Sequence, residues 1–539
     1  MVAEQKTKVY IIGLGQTKFE KPGRRQDWDY PVMVKEAVTA ALSDAKLKYT
    51  DIEQAAVGYL FGSSCSGQRA LYDVAMTGIP IFNVNNACAS GSSAIYIMKR
   101  FIEAGACDCA LAVGFEKMMR GSLENMGTLT DRANPSDRHV AVMSETYGME
   151  AAPITAQMFG NAGREHMEKY GTKREQIAKI AWKNHKHSAN NPDAQFQTVY
   201  TMEQILNARK VFDFMTLLEC SPTSDGAAAV VLCGETFLLK HPQLRPQAVQ
   251  ILGMELATDF PSSFNENSNI KMVGFDIVRA AAQQLYKSTG LGPEDVQVIE
   301  CHDCFAPNEL IAYEALQLCP VGKAGELIDR GDNTYGGKWV VNPSGGLIAK
   351  GHPIGATGVS QCIELCKHLR GIAGARQVSH ARVALQHNIG IGSAALVAMY
   401  KLADPPYPGG LAASQQDAPA FKSDLVFEEI RRRAQTEGKK LAGQVNAVFR
   451  FVLTDGPNGA TKRWLVDLQQ QPYFIGQRDA SGPVDCEFTM SDENFLELAV
   501  GQLKAEQAFM QGKLKLKGKV ALAMKLKTIL DAQRLHAKL

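Results

Sequence analysis

The sequence predicts an α/β protein whose main body consists of two similar layered halves. The first observation is a strand, helix and strand order near the N-terminus that returns about 240 residues further along the chain. β-Branched runs ended by glycine mark the strands, and apolar residues at helical spacing mark the helices. The segments are residues 8–19, 31–42 and 51–59 in the first half, and 249–254, 275–286 and 293–300 in the second.

The second observation is a stretch of small residues that opens a helix in each half. It spans residues 84–95 in the first half and 342–358 in the second, where a helix over 359–369 follows. The strands that come next, 109–114 and 383–390, also correspond. Two such copies packed face to face predict sheets covered by helices. We expect one active site at the seam, formed by residues of both halves.

The main body is expected to span residues 1–402, with halves over about 1–240 and 245–402. A long polar insertion interrupts the first half over about residues 118–215. Insertions of this length in compact domains are often binding loops or lids, although a solvated elaboration without a role is the alternative.

A second domain is predicted after the main body. Residues 403–423 are rich in Pro, Gly, Ala and Gln without an apolar period, which is typical of a linker. Residues 424–539 then alternate short strands with helices and contain no evident nucleophile, acid pair or metal cluster. We expect a small α+β domain with an apolar interior.

The composition is that of a globular protein with material for a large core. The 539 residues are 45% hydrophobic and 21% charged, and the formal net charge is +2. Twelve cysteines stand at irregular spacing, and no apolar signal segment follows Met1, which favours free thiols in a reducing compartment. The charge is not typical of a nucleic-acid binder, and no stretch is long enough to span a bilayer.

Cys88 is the first candidate for chemistry, because it lies where a helix begins among small residues. Backbone N–H groups and the positive end of the helix dipole favour a thiolate there, so we expect a nucleophilic cysteine. A small buried cysteine that fills a tight helix start is the alternative.

Two glycine-containing loops of the second half are further candidates. In Gly351-His352-Pro353, proline fixes φ on one side of the histidine and glycine frees it on the other, so the loop can hold an imidazole at a set angle. A structural histidine is the alternative, and no Lys-Ser/Thr pair follows to make a phosphate loop. The glycines of the segment 388–392, such as Gly390, permit close backbone approach to a ligand.

The block Cys301-His302-Asp303-Cys304-Phe305 lies between a buried strand and a helix. A Cys-x-x-Cys pair can be a redox pair or half of a zinc site, but no second pair stands at a suitable spacing, so we expect no metal. A nucleophilic cysteine, a histidine to take its proton, a second thiol and glycine amides are together the parts that acyl transfer needs.

From about residue 8 to 402 the chain resembles a thiolase of the peroxisomal sterol-carrier-protein type. The His-Asp-Cys-Phe block at 302–305 stands where other thiolases carry Asn-Glu-Ala-Phe. Other thiolases take their acid/base cysteine from a Cys-x-Gly block, which here reads Asn388-Ile389-Gly390, so the resemblance implies Cys304 as the substitute. Residues 424–539 resemble the sterol carrier protein-2 domain, which implies binding of lipids or sterols.

The resemblance also implies a role for each site residue in the cleavage of a 3-oxoacyl-CoA. Cys88 is the nucleophile and passes its proton to His352. His302 and His352 hold the oxygen of the departing enolate, and Cys304 acts as acid and base. The backbone N–H groups of Cys88 and Gly390 bind the oxyanion of the acyl-transfer step.

Other expectations concern partners and location. Coenzyme A is a co-substrate and no bound cofactor is implied. The last three residues, Ala537, Lys538 and Leu539, fit a C-terminal peroxisomal address that an import receptor reads, so we expect a peroxisomal matrix protein. A homodimer is implied by the resemblance.

Two other functions stay open. One is a condensing enzyme that runs the reverse reaction, against which the second cysteine, Cys304, counts. The other is a lipid-binding protein whose thiolase part has lost activity. Ala89, where many relatives have Ser or Thr, favours that loss, whereas Cys88, His302, Cys304 and His352 argue against it.

Overall fold

The computed structural model describes most of the chain. The described residues are 7–119, 133–391 and 394–403, followed by 421, 423, 426–427, 430, 434, 442–456, 459–469, 474–476, 484–499, 501–519, 525 and 530. The chain divides into two compact units, residues 1–405 and 406–539. Residues 404–420 and 531–539 lie outside the described residues, so most of the predicted linker and the C-terminal tripeptide stay predictions.

The strands of the first unit alternate with its helices along most of the chain. The strands are β1 Val9–Gln16, β2 Gln54–Gly58, β3 Ile81–Val84, β4 Cys109–Glu116, β5 Lys210–Phe212, β6 Met215–Thr216, β7 Gly226–Gly234, β8 Val249–Ala257, β9 Val298–Glu300, β10 Val340–Val341, β11 Ala384–Gly390 and β12 Ala394–Leu402. The helices are α1 Tyr30–Asp44, α2 Ser66–Tyr72, α3 Ser90–Glu103, α4 Asp137–Thr146, α5 Ile154–Tyr170, α6 Arg174–Ser188, α7 Met202–Leu206, α8 Glu235–Lys240, α9 Ser262–Asn265, α10 Asn269–Met272, α11 Phe275–Thr289, α12 Ala306–Ala315, α13 Ala324–Arg330, α14 Gly346–Lys350 and α15 Ile354–Leu369.

The strand order confirms the two similar halves. The ten strands other than β5 and β6 run in the order β10-β9-β11-β12-β8-β1-β7-β4-β2-β3. Read outward from the central β8 and β1, each side repeats the same sequence of equivalent strands. The two sides meet where Tyr10 pairs with Gln250 and Ile11 with Val249. The structure thus has the duplicated α/β architecture that the sequence predicts.

Helices cover both faces of these strands. Helices α3 and α15 pack on each other and on β4, whereas α1 packs on β1 and β7, and α11 packs on β8 and β12. The shared inner core contains Ile95 and Met98 of α3 together with Val359 and Ile363 of α15. Strand β4 is buried along its whole length because helices cover both of its faces. In α15 every residue except Lys367 is buried, as expected for a central helix.

The insertion is largely helical in its described part. We expected a polar loop insertion over about residues 118–215, whereas α4 to α7 occupy most of residues 137–206. Polar side chains of α6 are buried rather than solvated: His187 Nδ1 lies 2.9 Å from the carbonyl oxygen of Asn342. The insertion is therefore part of the packed body, and its polar residues make internal hydrogen bonds.

The second unit contains a five-stranded sheet of order β15-β14-β13-β16-β17. Its elements are β13 Val448–Thr454, β14 Lys462–Asp467, β15 Phe474–Gly476, β16 Cys486–Ser491, α16 Asp492–Ala499, α17 Ala505–Met510 and β17 Lys515–Gly518. Every second residue of β13 is buried, so one face of the sheet forms the core. In that core the ring of Phe427 stacks on Trp464 at 4.3 Å and on Phe495 at 5.0 Å. The expected small α+β domain with an apolar interior is present.

Candidate active site

The packing of α3 against α15 brings the two halves of the site together. Cys88 lies two residues before α3, and His352 lies two residues before α15. The helices approach closely because glycines face each other: a Cβ added to Gly91 would lie 2.5 Å from the carbonyl oxygen of Gly355. Equivalent positions of the two halves thereby supply a thiol and an imidazole to one place.

A third side chain, His302, completes a compact cluster. The sulfur of Cys88 and a ring nitrogen each of His302 and His352 all lie within 4.8 Å of one another. The two imidazole rings are 5.3 Å apart between centroids and nearly perpendicular, at 85°. Both histidines are buried, whereas Cys88 is half-buried. Three of the four predicted side chains therefore meet around one small space.

The hydrogen bonds of His352 fix which of its nitrogens can accept a proton. Thr357 donates its hydroxyl proton to the carbonyl oxygen of Pro353, at 3.0 Å. Its oxygen therefore accepts from Nδ1–H of His352, 2.7 Å away. This assignment leaves Nε2 of His352 without a proton, as a base requires.

The hydrogen bonds of His302 place its proton on the other ring nitrogen, Nε2. Ser92 donates to Oδ1 of Asn388, which turns the Nδ2 group of Asn388 toward the ring. Asn388 Nδ2 then donates to Nδ1 of His302, 2.9 Å away. Nε2 of His302 consequently carries the proton and is a hydrogen-bond donor. The two histidines thus present one acceptor and one donor nitrogen.

Burial keeps both imidazoles neutral. It lowers the pKa of His352 to about 3, and the ammonium of Lys350 lowers it further. Burial also lowers the pKa of His302 well below its usual range, with His352 and His387 adding to the effect. At neutral pH both rings are therefore uncharged, which is the state that the hydrogen-bond assignment requires.

The ionisation of Cys88 differs from our expectation. We expected the helix start to favour a thiolate, but burial raises the pKa of the Cys88 thiol to about 12, and the carboxyl of Glu116 adds to the rise. The backbone N–H of Cys88 itself opposes the shift without cancelling it. Desolvation of the charged sulfur outweighs the nearby amide, so the resting cysteine is a thiol. Its proton must leave during the reaction rather than before it.

Cys304 lies deeper in the protein than Cys88. It is only 6% exposed, and its carbonyl oxygen accepts a hydrogen bond of 2.8 Å from the backbone N–H of Ser221. Burial raises the pKa of its thiol well above the usual range, and Cys88 and Asp303 raise it further. Cys304 does not belong to the 4.8 Å cluster, but its thiol is close enough to Cys88 for the two to interact electrostatically.

Gly390 lies directly against the turn that carries Cys88. A Cβ at this position would overlap the carbonyl oxygen of Asn86 and would lie 3.1 Å from the backbone nitrogen of Ala89. Only a residue without a side chain allows this approach. Ala87, next to Cys88, has a φ of 46°, which is uncommon for a residue with a side chain. The end of β11 and a strained turn therefore form one wall of the site.

Several residues around the cluster were not identified as functional from the sequence. Thr357 and Asn388 set the proton positions of the two histidines, and Glu116 lies close enough to shift the pKa of Cys88. Asn388 and Thr357 lie in glycine-rich segments that the sequence already indicates as parts of the site. Their place in these segments is the signal by which both residues can be found. Glu116 is an acidic residue at the end of an otherwise apolar, buried strand, and this contrast is its signal in the sequence.

The same cluster is a potential set of metal donors. Within the part of the chain that the structure describes, Cys88, His302 and His352 form a group whose spacing could hold an ion. The protonated Nε2 of His302 suits a hydrogen-bond donor better than a metal ligand, because a ligating imidazole nitrogen must be bare. Among the helices in the described part of the chain, none combines the length and the hydropathy that a membrane span requires.

Three family models match successive parts of the chain. Residues 9–236 match the thiolase N-terminal domain, residues 262–401 match the thiolase C-terminal domain-like family, and residues 427–531 match the SCP-2 sterol transfer family. The first two matches lie in the first compact unit, and the third lies in the second unit.

Curated relatives and solved structures agree with these models. Sterol carrier protein 2 of Bos taurus is 50% identical over 98% of both chains. Non-specific lipid-transfer protein-like 2 of Caenorhabditis elegans is 64% identical over 74% of this chain and 97% of its own length. The human mitochondrial 3-ketoacyl-CoA thiolase has the same fold, with a TM-score of 0.54 and 19% identity over 74% of this chain and 99% of that chain. The chain therefore belongs to the sterol carrier protein 2 family, in which thiolase N- and C-terminal domains precede an SCP-2 sterol transfer domain.

Proposed function

We propose that the first unit cleaves 3-oxoacyl-CoA by thiolysis through an acyl group carried on Cys88. The observation that carries the proposal is the cluster in which a thiol faces one imidazole with a bare nitrogen and another with a protonated one. A nucleophile, a base and an oxyanion donor are the groups that acyl transfer needs. Membership of a family with thiolase domains supports the same reaction.

In the first half-reaction, the Cys88 sulfur attacks the 3-keto carbon while its proton moves to Nε2 of His352. The oxyanion that forms is held by the backbone N–H groups of Cys88 and Gly390. The C2–C3 bond then breaks, and the acyl group stays on the sulfur. The electron pair becomes the enolate of acetyl-CoA, whose oxygen accepts hydrogen bonds from His302 and the protonated His352. The thiol of Cys304 gives its proton to C2 and releases acetyl-CoA.

In the second half-reaction, free CoA replaces acetyl-CoA. The Cys304 thiolate takes the proton of the CoA thiol, and the CoA sulfur attacks the acyl carbon on Cys88. When the tetrahedral intermediate collapses, Cys88 leaves and recovers its proton from His352. The products are acetyl-CoA and an acyl-CoA shortened by two carbons, and every group of the site returns to its starting state.

The substrate class extends to branched chains in this proposal. A 2-methyl substrate would release propionyl-CoA in place of acetyl-CoA, and sterol side chains present this branch. Coenzyme A is a co-substrate rather than a bound cofactor. We assign the insertion over about 118–215 to the covering of CoA. Its described helices pack against the second half, where His187 contacts Asn342, and this packing supports that role.

The second unit is proposed to bind lipids or sterols. It matches the SCP-2 sterol transfer family, and its described core is a cluster of aromatic and aliphatic side chains. The C-terminal tripeptide Ala537-Lys538-Leu539 is proposed to bind an import receptor and to direct the chain to the peroxisomal matrix.

We also propose a homodimer. Strand β3 lies at the edge of the ten-stranded sheet, and an unpaired edge can join another strand. Large apolar side chains nearby are exposed: Tyr72 by 46%, Met76 by 76% and Phe82 by 38%. A second copy covering this edge would bury them. A Met76→Glu variant should therefore sediment as a smaller species than the wild-type protein.

A thiolysis assay with Cys88→Ala and Cys304→Ala tests the main proposal. Wild-type protein should cleave 3-oxoacyl-CoA only when CoA is present, and Cys88→Ala should lose this turnover. Cys304→Ala should bind substrate but turn over slowly, because C2 of the enolate has no proton donor. Wild-type turnover in Cys88→Ala would contradict the mechanism, and unchanged turnover in Cys304→Ala would assign the acid/base role to another group.

The same assay separates the alternatives. A condensing enzyme that runs the reverse reaction would also cleave 3-oxoacyl-CoA, so it would be recognised by saturation with two acyl-CoA molecules at lower concentrations than with 3-oxoacyl-CoA and CoA. A lipid carrier with an inactive thiolase part would bind a fluorescent fatty acid and show no thiolysis. We expect thiolysis and fatty-acid binding from the same full-length chain, with fatty-acid binding unchanged in Cys88→Ala.

A further inference from the structure

The loop that carries His352 lies between the end of the short helix α14 and the start of α15. Helix α14 ends at Lys350, and α15 begins at Ile354, so Gly351 to Pro353 connect them. The first N–H groups of a helix have no partner within the helix and need acceptors from elsewhere. The N-cap residues Gly345 and Pro353 provide no acceptor side chain. Two buried carboxyl groups from distant parts of the chain take that place.

Asp303 accepts from the first turn of α14. The backbone N–H of Leu347 donates to its Oδ1 at 2.6 Å, and the N–H of Ile348 donates to its Oδ2 at 3.3 Å. Asn184 Nδ2 also donates to Oδ2, at 2.8 Å. Asp303 lies between His302 and Cys304 in the chain. Its hydrogen bonds therefore connect the segment that carries those two residues to the helix that leads into His352.

Glu116 accepts from the first turn of α15. Its Oε2 lies 2.9 Å from the backbone nitrogen of Gly355, which donates to it. The N–H groups of Leu60 and Phe61 donate to the same carboxyl, at 3.1 and 3.0 Å. Glu116 and both of these donors belong to the first half, whereas Gly355 belongs to the second. The carboxyl therefore connects the half that carries Cys88 to the helix that follows His352.

We propose that Asp303 and Glu116 are positioning residues. Together they fix both ends of the His352 loop, so that the imidazole stays close enough to Cys88 to take its proton. Neither carboxyl hydrogen-bonds to the reacting atoms. Glu116 also raises the pKa of Cys88 and Asp303 that of Cys304, and the proposal concerns their separate effect on the place of the imidazole. A displacement of about 1 Å in a reacting group can slow a reaction by about 10²-fold. The proposal rests on the proposed thiolysis, in which His352 takes the proton of Cys88.

The test uses Asp303→Asn and Glu116→Gln, which keep shape but replace one acceptor oxygen with a donor NH₂ group. Glu314→Gln is the matched control. Glu314 is also buried and accepts the N–H of Ala324, at the start of α13, at 3.0 Å. It has no hydrogen bond to the His352 loop. Each of the three variants replaces a buried carboxyl that accepts a hydrogen bond from the first turn of a helix. Only Asp303 and Glu116 accept from the helices on either side of the His352 loop.

At pH 8 and well below each melting temperature, Asp303→Asn and Glu116→Gln should lower kcat at least 10-fold. The KM for 3-oxoacyl-CoA should stay within twofold, because the substrate-binding surface is unchanged. Glu314→Gln should lower the melting temperature and leave kcat within twofold. An equal loss of kcat in Glu314→Gln, or wild-type kcat in both loop variants, would overturn the proposal.

A second measurement does not need turnover and so stays informative if thiolysis itself is absent. The rate of Cys88 alkylation by iodoacetamide, followed by peptide mass spectrometry, reports proton transfer to His352. Asp303→Asn should lower this rate at least fivefold in the wild-type background and less than twofold in His352→Ala. Equal effects in the two backgrounds would show a structural role alone and refute positioning. If Asp303→Asn does not fold, Asn184→Ala removes one donor to Asp303 and should give the same pattern with a smaller effect.

Discussion

Cys88 and His352 occupy equivalent positions in the two halves of the first unit. Each lies two residues before a central helix, α3 or α15, and the packing of these helices brings the sulfur and a ring nitrogen within 4.8 Å. One copy of the repeated unit supplies the thiol and the other supplies the imidazole. The site thus exists only where the two halves meet, and neither half contains it alone.

The first prediction concerns the pH dependence of Cys88. Because burial raises the pKa of its thiol to about 12, the thiolate fraction at neutral pH is small and should grow about 10-fold per pH unit. In His352→Ala, where no imidazole can take the proton, the rate of Cys88 alkylation should therefore rise from pH 7 to pH 10 without a plateau. Peptide mapping distinguishes Cys88 from the exposed Cys65. A plateau near pH 8 would show that the helix start lowers the pKa after all.

The second prediction concerns the proton on His302. In Asn388→Asp, an ionised carboxylate can only accept, so Nδ1 of a neutral His302 carries the proton and Nε2 becomes bare. Loss of this donor to the enolate oxygen should lower kcat about 10²-fold.

Gln386→Glu is the control for this change, because it also places a carboxyl on β11. Gln386 bonds the carbonyl of Gly358 and the hydroxyl of Tyr400, and no described hydrogen bond joins it to His302. Its kcat should fall less than that of Asn388→Asp in folded protein. Equal losses would mean that a buried charge, rather than the proton position, causes the effect.

The third prediction concerns the proton on His352. Thr357→Val removes the oxygen that accepts from Nδ1–H and lets the ring change its tautomer and angle. We expect kcat to fall about 10-fold, which is less than the roughly 10²–10⁴-fold that a positioned general base contributes, because the imidazole itself remains. Ser360→Ala removes another hydroxyl of α15, which bonds Gln16. It should keep kcat within twofold, and steady-state kinetics of both variants decide the question.

The fourth prediction concerns the contact between β11 and the Cys88 turn. A Cβ in Gly390→Ala would overlap the carbonyl oxygen of Asn86, so the turn must move. We expect a loss of stability of about 1–3 kcal/mol together with a fall in kcat of at least 10-fold. Gly443→Ala, where a Cβ meets no atom within 4 Å, should leave kcat unchanged and should not lower stability. Thermal unfolding and kinetics that leave Gly390→Ala unchanged would refute the close approach.

Much of the fold follows from local patterns in the sequence. The repeated strand and helix order predicts both halves, because buried strands and central helices have strong apolar patterns over β4 and α15. The insertion was harder to predict. Its buried polar residues, such as Lys183 and His187, resemble solvated positions in the sequence, but they bond to groups of the second half. Such partners lie more than 100 residues away, and no local pattern reveals them.

The reactive groups of the site could be predicted from the sequence, but their protonation states could not. The sequence indicates Cys88, His302 and His352 by their motifs, and the structure brings these three side chains together. The ionisation of Cys88 depends on burial and on Glu116, which come from tertiary packing. The expectation from the helix start alone, a lowered pKa of the Cys88 thiol, was therefore wrong. The roles of these residues, including that of Cys304, stay predictions that kinetics must test.

The most direct test of the central claim is to trap the acyl group. Full-length protein is mixed with a 3-oxoacyl-CoA in the absence of free CoA, quenched in acid, and analysed by intact and peptide mass spectrometry. We predict one added acyl group on the peptide that contains Cys88, with acetyl-CoA released in equal amount and the adduct lost when CoA is added. An adduct on Cys304 instead, or continued turnover in Cys88→Ala without any adduct, would contradict the account.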